Sequence, residues 1–421
     1  MIRFILAMAR AFLNLIYFFH KAAPVQNRIS FISRQSNEPS ADIRMLAEEL
    51  KRQSPETEIV ISCRMIESGR GGKIRYVFHM LTEQMHLFAT SRVVILDGYC
   101  ICACVLKHRK ELQIVQMWHA MGALKKFGWS SVGEGEGSSR KIAEGMRMHR
   151  NYSVIFVSSD ACRQLMAPAF GCDVSRMKVM PLPRMDLLLH GEIREKNRKR
   201  VQERYPQISG KKVILYAPTF RKGYHIRAYV ENLIRAVDSE RYCLIVKLHP
   251  LDRETLDPGK AIVDGEFSTE EMLAAADYFI SDYSAVIFEA AAAGKPMFRY
   301  IPDGEAYDAR RGFLIDPAKE IPAFCSEDPA RILRAIEEDR YDAAAVRRFA
   351  EKYICLRKNN TANMASFILS MPERNQSADS EENLTAAGDC RYGYHSEGNG
   401  GAAVIKESGN ICAENVNFKR S

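Results

Sequence analysis

The chain has 421 residues, 47% of them hydrophobic, and a formal net charge of +8 at pH 7. This length suits two domains of ordinary size, and the hydrophobic content excludes a mostly disordered chain. The positive charge suits a partner that carries phosphate groups, but without a basic stripe of interleaved aromatic residues it does not indicate nucleic-acid binding. The 11 cysteines form no CxxC pair, which indicates a reducing compartment.

The first 24 residues, "MIRFILAMARAFLNLIYFFHKAAP", form an apolar segment interrupted by Arg3 and Arg10. A cleaved signal peptide needs an unbroken apolar centre and a spanning helix needs about 20 apolar residues, so the arginines argue against both. We expect an amphipathic helix that lies on an anionic membrane surface. The alternative is a helix packed on the protein's own core.

Short apolar runs alternate with helical patterns through the middle of the chain. Predicted strands cover 29–33, 58–63, 92–97, 112–118 and 152–159 in a first series, and 212–218, 242–250, 260–264, 277–281 and 296–300 in a second. Predicted helices include 40–53, 160–169, 226–238 and 270–276. This alternation in two series predicts an α/β protein with two domains, each built on a parallel sheet.

The predicted domain organisation follows from these series. We expect a membrane-associating helix at 1–24, a first Rossmann-like domain at 25–190, a second at 191–373 and a disordered tail at 374–421. The tail is rich in Gly, Ser, Asn and Glu and shows no sustained apolar period. A charged run, 192–212, predicts a surface helix near the hinge between the two domains.

The segment "CICAC" places Cys100, Cys102 and Cys104 at alternate positions. This spacing predicts one face of a strand. A metal site would need a nearby histidine or a CxxC pair to complete a tetrahedral set, so we interpret the three thiols as core packing.

The segment "DYFISDYSAVIFEAAAAGKPMFRY", residues 277–300, predicts a strand, a turn and a helix that ends before Gly294. Ligands bind at the carboxyl ends of strands in an open parallel sheet, and a helix that begins there offers free N–H groups to a phosphate. Hydroxyl and carboxylate groups that suit this place belong to Ser281, Asp282, Ser284 and Glu289, the last on a face that could reach a ribose hydroxyl. The alternative for Asp282 or Ser284 is a helix cap alone.

Two more polar clusters follow predicted strands of the second series. Thr219 and Arg221 come directly after one strand, where a guanidinium could fork onto a phosphate, and His249 follows another. A lone histidine is more often structural. Three strand ends in one domain that all carry hydrogen-bond donors predict an anion-binding cleft.

His119, in "QMWHAMGALKKFGW" (116–129), closes a strand of the first series in the same manner. In a two-domain α/β protein the two strand edges can face each other across one cleft, so we expect His119 opposite the phosphate cluster. Its ordinary pKa lets it accept a proton at physiological pH. Lys125 and Lys126 could steer an anionic substrate, although solvated lysines are the alternative for at least one of them.

Several segments together resemble the CDP-glycerol glycerophosphotransferases of teichoic-acid-type polymer synthesis. They are "FISRQSNEPSAD" (31–42), "WHAMGALKKFG" (118–128), "PLPRMDLL" (181–188), "VILYAPTFR" (213–221), "KLHP" (247–250), "SDYSAVIFEAAAAGKPM" (281–297) and "RRGFLIDP" (310–317). They occur in the family's order and cover roughly residues 28 to 365. The ordered set, rather than any single segment, is specific.

The resemblance implies a GT-B-like fold of two facing Rossmann-like domains. It implies an enzyme at the cytoplasmic face of the membrane, which moves an alditol phosphate from CDP-glycerol or CDP-ribitol to a hydroxyl of a membrane-linked acceptor and releases CMP. It also implies no cofactor and no obligatory metal. By the same resemblance His119 is the catalytic base, and the donor-phosphate and nucleotide region comprises Arg221, His249, Ser281, Asp282 and Ser284. We count His249 as a second catalytic residue, which stabilises charge on the transferring phosphoryl group.

The sequence departs from the family's pattern after His119. Many members read "WHGT" and then proline, whereas "AMGA" (120–123) follows the histidine here. The donor alditol and the acceptor are therefore open. Two other functions also stay open: a GT-B glycosyltransferase that uses a nucleotide sugar, and a non-catalytic nucleotide-binding partner in polymer assembly.

Overall fold

A computed structural model describes residues 1–135, 137–221, 226–249, 252, 255–303 and 312–371. The tail predicted at 374–421 lies outside these residues. The described chain contains two six-stranded β-sheets, and a helix lies between successive strands in every case except β8 and β9, where the described residues contain none. The prediction of an α/β protein with two parallel sheets is confirmed.

The first sheet has the strand order β2-β1-β3-β4-β5-β6, and its neighbouring strands are parallel. Its strands are β1 (Gln26–Ser33), β2 (Glu58–Cys63), β3 (Ser91–Leu96), β4 (Gln113–Gln116), β5 (Val154–Val157) and β6 (Met177–Val179). The chain moves outward from β1 to β2 and then returns to β3 on the other side of β1. The strand order therefore reverses between β1 and β3.

The second sheet has the order β12-β11-β10-β7-β8-β9 and is also parallel. Its strands are β7 (Lys212–Tyr216), β8 (Tyr242–Val246), β9 (Ile262–Val263), β10 (Tyr278–Ser281), β11 (Met297–Tyr300) and β12 (Phe324–Ser326). Here the reversal falls between β7 and β10. Every residue of β4, β5 and β8 is buried, as expected of parallel strands covered on both faces.

The described helices are α1 (Ile2–His20), α2 (Ala41–Gln53), α3 (Gly69–His79), α4 (Met85–Thr90), α5 (Ile101–Val105), α6 (Arg140–Gly145), α7 (Asp160–Phe170), α8 (Met185–Leu189), α9 (Gly191–Arg204), α10 (Arg227–Ala236), α11 (Thr269–Ala275), α12 (Val286–Ala292), α13 (Pro317–Glu320), α14 (Pro329–Glu337), α15 (Ala343–Tyr353) and α16 (Asn360–Leu369). A π-helical turn, Met80–Gln84, joins α3 to α4. The charged run predicted as a helix at 192–212 forms α9 only as far as Arg204, and Lys212 already belongs to β7.

The prediction of a strand for "CICAC" is wrong: Cys100 occupies the N-cap position of helix α5, and the next four residues are its first four. The amide of Cys104 donates to the carbonyl of Cys100 at 3.3 Å, a helical bond. Cys100, Cys102 and Cys104 are nevertheless buried, in agreement with the packing interpretation. A five-residue apolar run is too short for periodicity to distinguish a buried helix from a strand.

Helix α1 lies along the protein and presents two different faces. On the inner face Tyr17 is buried and its hydroxyl donates to the carbonyl of Phe88 at 3.0 Å, while the Asn14 amide donates to the carbonyl of Val105 at 3.1 Å. The outer face exposes Phe4, Ile5, Met8, Phe12, Leu15, Phe18 and Phe19. By length and composition α1 is also the one described helix that could cross a membrane.

The predicted boundary at residues 190 and 191 falls in the chain between the strands of the two sheets. Helix α16, which this division assigns to the second domain, instead packs on α2 of the first sheet: the Gln53 amide donates to the Ala362 carbonyl at 3.1 Å and accepts from the Ser366 hydroxyl at 2.9 Å. The chain thus returns to the first sheet at its C-terminal end. The domain boundaries themselves stay a prediction.

Candidate functional site

The predicted site residues follow the carboxyl ends of strands at the reversal of each sheet. In the first sheet His119 follows β4 and contacts groups that follow β1 and β3. In the second, Thr219 and Arg221 follow β7, and the turn 281–285 follows β10, which pairs directly with β7. His249 follows β8, the other neighbour of β7. Such reversals are the places where open parallel sheets bind ligands.

The ring of His119 is oriented by a backbone carbonyl. Its Nδ1 lies 2.7 Å from the carbonyl oxygen of Asp97, the residue after β3, so Nδ1 must carry the proton and donate it. The Gln35 side-chain amide lies farther away, at 3.3 Å. Because a neutral imidazole has one N–H, Nε2 carries the free lone pair. Trp118, the preceding residue, has a positive φ of 63°, which turns the chain sharply before the histidine.

The surroundings keep His119 neutral. Part of the residue is open to solvent, yet protein atoms surround the ring and their desolvation lowers the pKa of His119 below its ordinary value. The positive charges of Arg184 and Arg34 lower this pKa further, while the bond to Asp97 opposes the shift. A neutral imidazole with an unprotonated Nε2 is the form that accepts a proton, so the geometry fits a general base.

Asp282 organises the corresponding edge of the second sheet. Its carboxylate accepts bonds from the amide and hydroxyl of Thr219 at 2.9 and 2.6 Å, and from the Tyr283 amide at 2.6 Å. It also accepts from Arg221 Nη1 at 2.6 Å. Asp282 is almost completely buried, so one carboxylate fastens the end of β7 to the turn after β10.

Arg221 is enclosed by carboxylates in this structure. Besides Asp282, it contacts Asp303, whose two oxygens accept from Nε at 2.6 Å and from Nη2 at 2.8 Å. Burial lowers the pKa of Arg221, but the bonds to Asp303 and the charge of Asp282 outweigh burial and raise it. The guanidinium is buried and braces the loop. Its predicted bond to a phosphate stays a prediction.

The two serines of the turn differ in accessibility. Ser281 is fully buried and its hydroxyl donates to the carbonyl of Ala217 at 2.7 Å, so it joins β10 to the end of β7. Ser284 is partly exposed, and its hydroxyl accepts from the Val286 amide at 3.4 Å, close to the start of α12. Of the two, Ser284 is the one that a ligand can reach. Both predicted roles in donor binding stay predictions.

Lys125 and His249 approach each other from different sheets. The loop after His119 forms an antiparallel contact with residues 312–314: the Lys126 amide donates to the Gly312 carbonyl at 2.9 Å, and the Leu314 amide to the Leu124 carbonyl at 2.8 Å. Desolvation lowers the pKa of the exposed His249, Asp252 raises it and Lys125 lowers it. Lys125 therefore lies close enough for its charge to act on His249.

Arg184, at the start of α8, is a central residue that the sequence prediction missed. Its Nη2 donates to the carbonyl of His119 and to Glu289 Oε1, both at 2.9 Å. It also pairs with Asp42 and, at 3.2 Å, with Glu270. Arg184 lies within the segment "PLPRMDLL" that carries the resemblance, and this was the available signal.

Glu289, predicted to reach a ribose hydroxyl, is buried on α12 and paired with Arg184. Burial raises the pKa of Glu289 to about 7, although the charge of Arg184 opposes this shift. Its Oε2 has no hydrogen-bond partner within the described part of the chain. The same part of the chain contains no group of three His, Cys, Asp or Glu side chains that could hold a metal ion.

Two parallel α/β sheets with polar groups at both reversal points give the chain a GT-B-like fold. Residues 15–369 match the family described as CDP-Glycerol:Poly(glycerophosphate) glycerophosphotransferase. The chain belongs to this family, which confirms the resemblance, and it is a transferase of phosphorus-containing groups.

Individual relatives agree with this assignment. The chain is 31% identical over 360 residues to the teichoic acid ribitol-phosphate primase of Bacillus spizizenii, covering 82% of this chain and 92% of the relative. It is 28% identical over 298 residues to the teichoic acid glycerol-phosphate primase of Bacillus subtilis, covering 68% and 76%. The structure of the wall teichoic acid polymerase TagF shares the fold, with a TM-score of 0.69 at 17% identity, over 87% of this chain and 97% of that one.

Proposed function

We propose that the protein transfers an alditol phosphate from CDP-glycerol or CDP-ribitol to a hydroxyl of a membrane-linked acceptor and releases CMP. The observation that carries the proposal is His119, whose ring is held by the Asp97 carbonyl and whose Nε2 is left unprotonated. The family's description names CDP-glycerol, and one relative is a ribitol-phosphate primase, so both donors are considered.

In the proposed step Nε2 of His119 takes the proton of the acceptor hydroxyl. The hydroxyl oxygen forms a bond to the β-phosphorus of the donor, and the bond from that phosphorus to the bridging oxygen breaks. CMP leaves with the electron pair. Catalysis of this kind depends mainly on placing the reactants and stabilising charge.

The second sheet, together with Lys125 from the loop after His119, supplies the groups for charge stabilisation. Lys125 lowers the pKa of His249, so the two side chains lie near each other. We assign both to the phosphates of the donor. Ser284 offers a hydroxyl from the turn after β10. Arg221 and Asp282 keep this edge rigid through their mutual bond and the bonds to Thr219 and Asp303. A rigid cradle limits the reorganisation that accompanies charge transfer.

The identity of the released nucleotide tests the reaction class. Purified protein is incubated with CDP-glycerol, CDP-ribitol or a panel of nucleotide sugars, together with a lipid-linked acceptor, and nucleotides are separated by chromatography. We expect CMP from one or both CDP-alditols. Release of a nucleoside diphosphate from a nucleotide sugar would instead establish a glycosyltransferase. Donor binding without any release would indicate the non-catalytic alternative.

We further propose that the enzyme docks on the cytoplasmic face of the membrane through α1. Its outer face exposes 72% of Phe4, 58% of Phe12 and 68% of Phe19. Arg3 is 77% exposed beside them, in an exposed ion pair with Glu144 at 3.3 Å that anionic headgroups would have to replace. Helix α3, which continues into the π-helical turn that His20 of α1 contacts, adds exposed Ile74 and Phe78. Aromatic side chains beside cations are typical of helices that lie in the headgroup region.

Co-sedimentation with lipid vesicles tests the docking. We expect binding to vesicles containing anionic lipid, weaker binding to neutral vesicles, and a loss of about fivefold for Phe12→Ser, since partial immersion of one ring is worth about 1 kcal/mol. Tyr341→Ser, at an exposed site on the second-sheet side, is the control. Equal binding of Phe12→Ser and wild type would contradict the role of α1.

A further inference from the structure

One guanidinium joins the two halves of the molecule beside the catalytic histidine. Asp42 and His119, which contact Arg184, follow strands of the first sheet. Glu270 lies on α11 and Glu289 on α12, the helices before and after β10 of the second sheet. Arg184 thus binds both the backbone of His119 and Glu289 of α12, the helix that follows the turn 281–285.

His119 is consequently held at two points. The Asp97 carbonyl fixes the ring, and Arg184 Nη2 binds the carbonyl of His119 itself at 2.9 Å. The same Nη2 donates to Glu289 at 2.9 Å. A displacement of α12 would therefore pull on the group that holds the histidine backbone.

The burial of this cluster makes the contacts specific. The Arg184 side chain is 14% exposed, and Asp42 and Glu289 are 3% and 5% exposed. Burial lowers the pKa of Arg184, but the charges of Asp42, Glu289 and Glu270 together raise it. In a site of low dielectric a guanidinium surrounded in this way exchanges partners at high cost, so its geometry is well defined.

We propose that Arg184 is a positioning residue for the reaction, which sets the place of His119 relative to the donor side of the cleft. It acts through the His119 carbonyl and through Glu289 and Glu270, not by contact with the reacting atoms. The prediction for catalysis rests on the proposed function, whereas the prediction for the loop after His119 does not. Lysine at this position keeps the charge but cannot reproduce the fork of five N–H donors.

The experiment compares Arg184→Lys with Arg200→Lys. Arg200 pairs with Glu271 at an exposed contact between α9 and α11 and serves as the matched control. For Arg184→Lys we expect kcat for CMP release to fall roughly 10²-fold, the cost of a displacement of about 1 Å, while the KM for the donor stays near that of the wild type. Hydrogen exchange in residues 117–126 should accelerate. Arg200→Lys should change neither quantity.

Glu270→Gln provides a second, milder variant that removes one contact from the second-sheet side. It removes the charge that lies 3.2 Å from Arg184 Nε without forming a hydrogen bond. It should accelerate hydrogen exchange in residues 117–126 and lower kcat about fivefold, since such an ion pair contributes about 1 kcal/mol. Both variants must show a wild-type melting temperature, so that loss of folded protein is separated from loss of position.

Unchanged exchange and unchanged kcat in both variants would overturn the proposal, as would a fall in kcat that only follows the folded fraction. If the wild type releases no CMP, the proposed function fails, but hydrogen exchange still tests whether Arg184 positions the loop after His119. Faster exchange in 117–126 would then support its positioning role, and unchanged exchange would overturn it.

Discussion

At the edge of the first sheet His119 has one nitrogen bonded to a carbonyl and part of its surface open to solvent, whereas at the edge of the second sheet Arg221 is buried between Asp282 and Asp303. Both residues follow a parallel strand close to the reversal of its sheet. Under the proposed function this difference in their surroundings is expected, because a general base must contact the substrate, whereas a structural arginine must keep its carboxylate partners. Position alone therefore does not distinguish a reacting group from a supporting one.

The largest effect is expected where the buried brace is broken. Arg221→Met leaves the carboxylates of Asp282 and Asp303 buried without their cation, which typically costs about 3–5 kcal/mol of unfolding free energy. Urea unfolding followed by circular dichroism measures this loss. Arg227→Met, which breaks an exposed pair with Glu231, should cost about 1 kcal/mol or less and is the control.

This result would be contradicted by an Arg221→Met protein of wild-type stability that no longer binds the donor. Arg221 would then act directly on a phosphate, as first predicted from the sequence, and the contrast between the two edges would disappear.

Lys125 sharpens the comparison because it belongs to the loop of His119 but acts on His249 of the second sheet. Lys125→Ala should raise the KM for the donor about tenfold, since one charged hydrogen bond to a phosphate contributes about 1.5 kcal/mol. Steady-state CMP release at varied donor concentration measures this effect. Lys126→Ala is the matched control, since Lys126 is paired with Glu134 at 2.9 Å. An equal rise in KM for both variants would show general steering without a specific contact.

The smallest expected effect is that of pH on kcat/KM near neutrality. Only deprotonated His119 accepts a proton, so kcat/KM rises with pH through the pKa of His119, which lies below its ordinary value. The rate at pH 6.5 should therefore stay within about twofold of the plateau. The residual activity of His119→Ala should lack this acidic limb. Glu289, with a pKa of about 7, titrates in the same range and is removed in Glu289→Gln. A rate that still rises steeply between pH 7 and 8 in Glu289→Gln would contradict a lowered pKa of His119.

Most of the strand positions followed from local sequence. The ten predicted strands were found because buried parallel strands are near-continuous apolar runs, as in "VIFV" (154–157). The edge strands β6 and β12 were missed because "MKV" and "FCS" show too little apolar pattern. The still shorter β9 was found because it lies in the apolar run of "KAIVD". The helix at 101–105 was predicted as a strand for the related reason that five residues fit either period.

The candidate site was predictable only in part. His119, Thr219, Arg221, His249 and the turn 281–284 follow strands, and strand ends can be read from a sequence. Which polar groups pair with each other cannot be read in this way, because Arg184 meets residues 142 and 105 positions away in the chain. The three-dimensional packing of both halves is needed to show that Arg184 contacts His119 and that Glu289 is its partner.

The central claim is that His119 is the base of the transfer. It is tested most directly by the rate of CMP release from the CDP-alditol that the wild type uses, at saturating donor and acceptor, for wild type, His119→Ala and His190→Asn. His190, partly exposed at the start of α9, is the control. We predict a loss of ~10²–10⁴-fold for His119→Ala, with unfolding free energy within about 1 kcal/mol of the wild type and unchanged activity of His190→Asn. A folded His119→Ala protein that releases CMP at the wild-type rate would contradict the account.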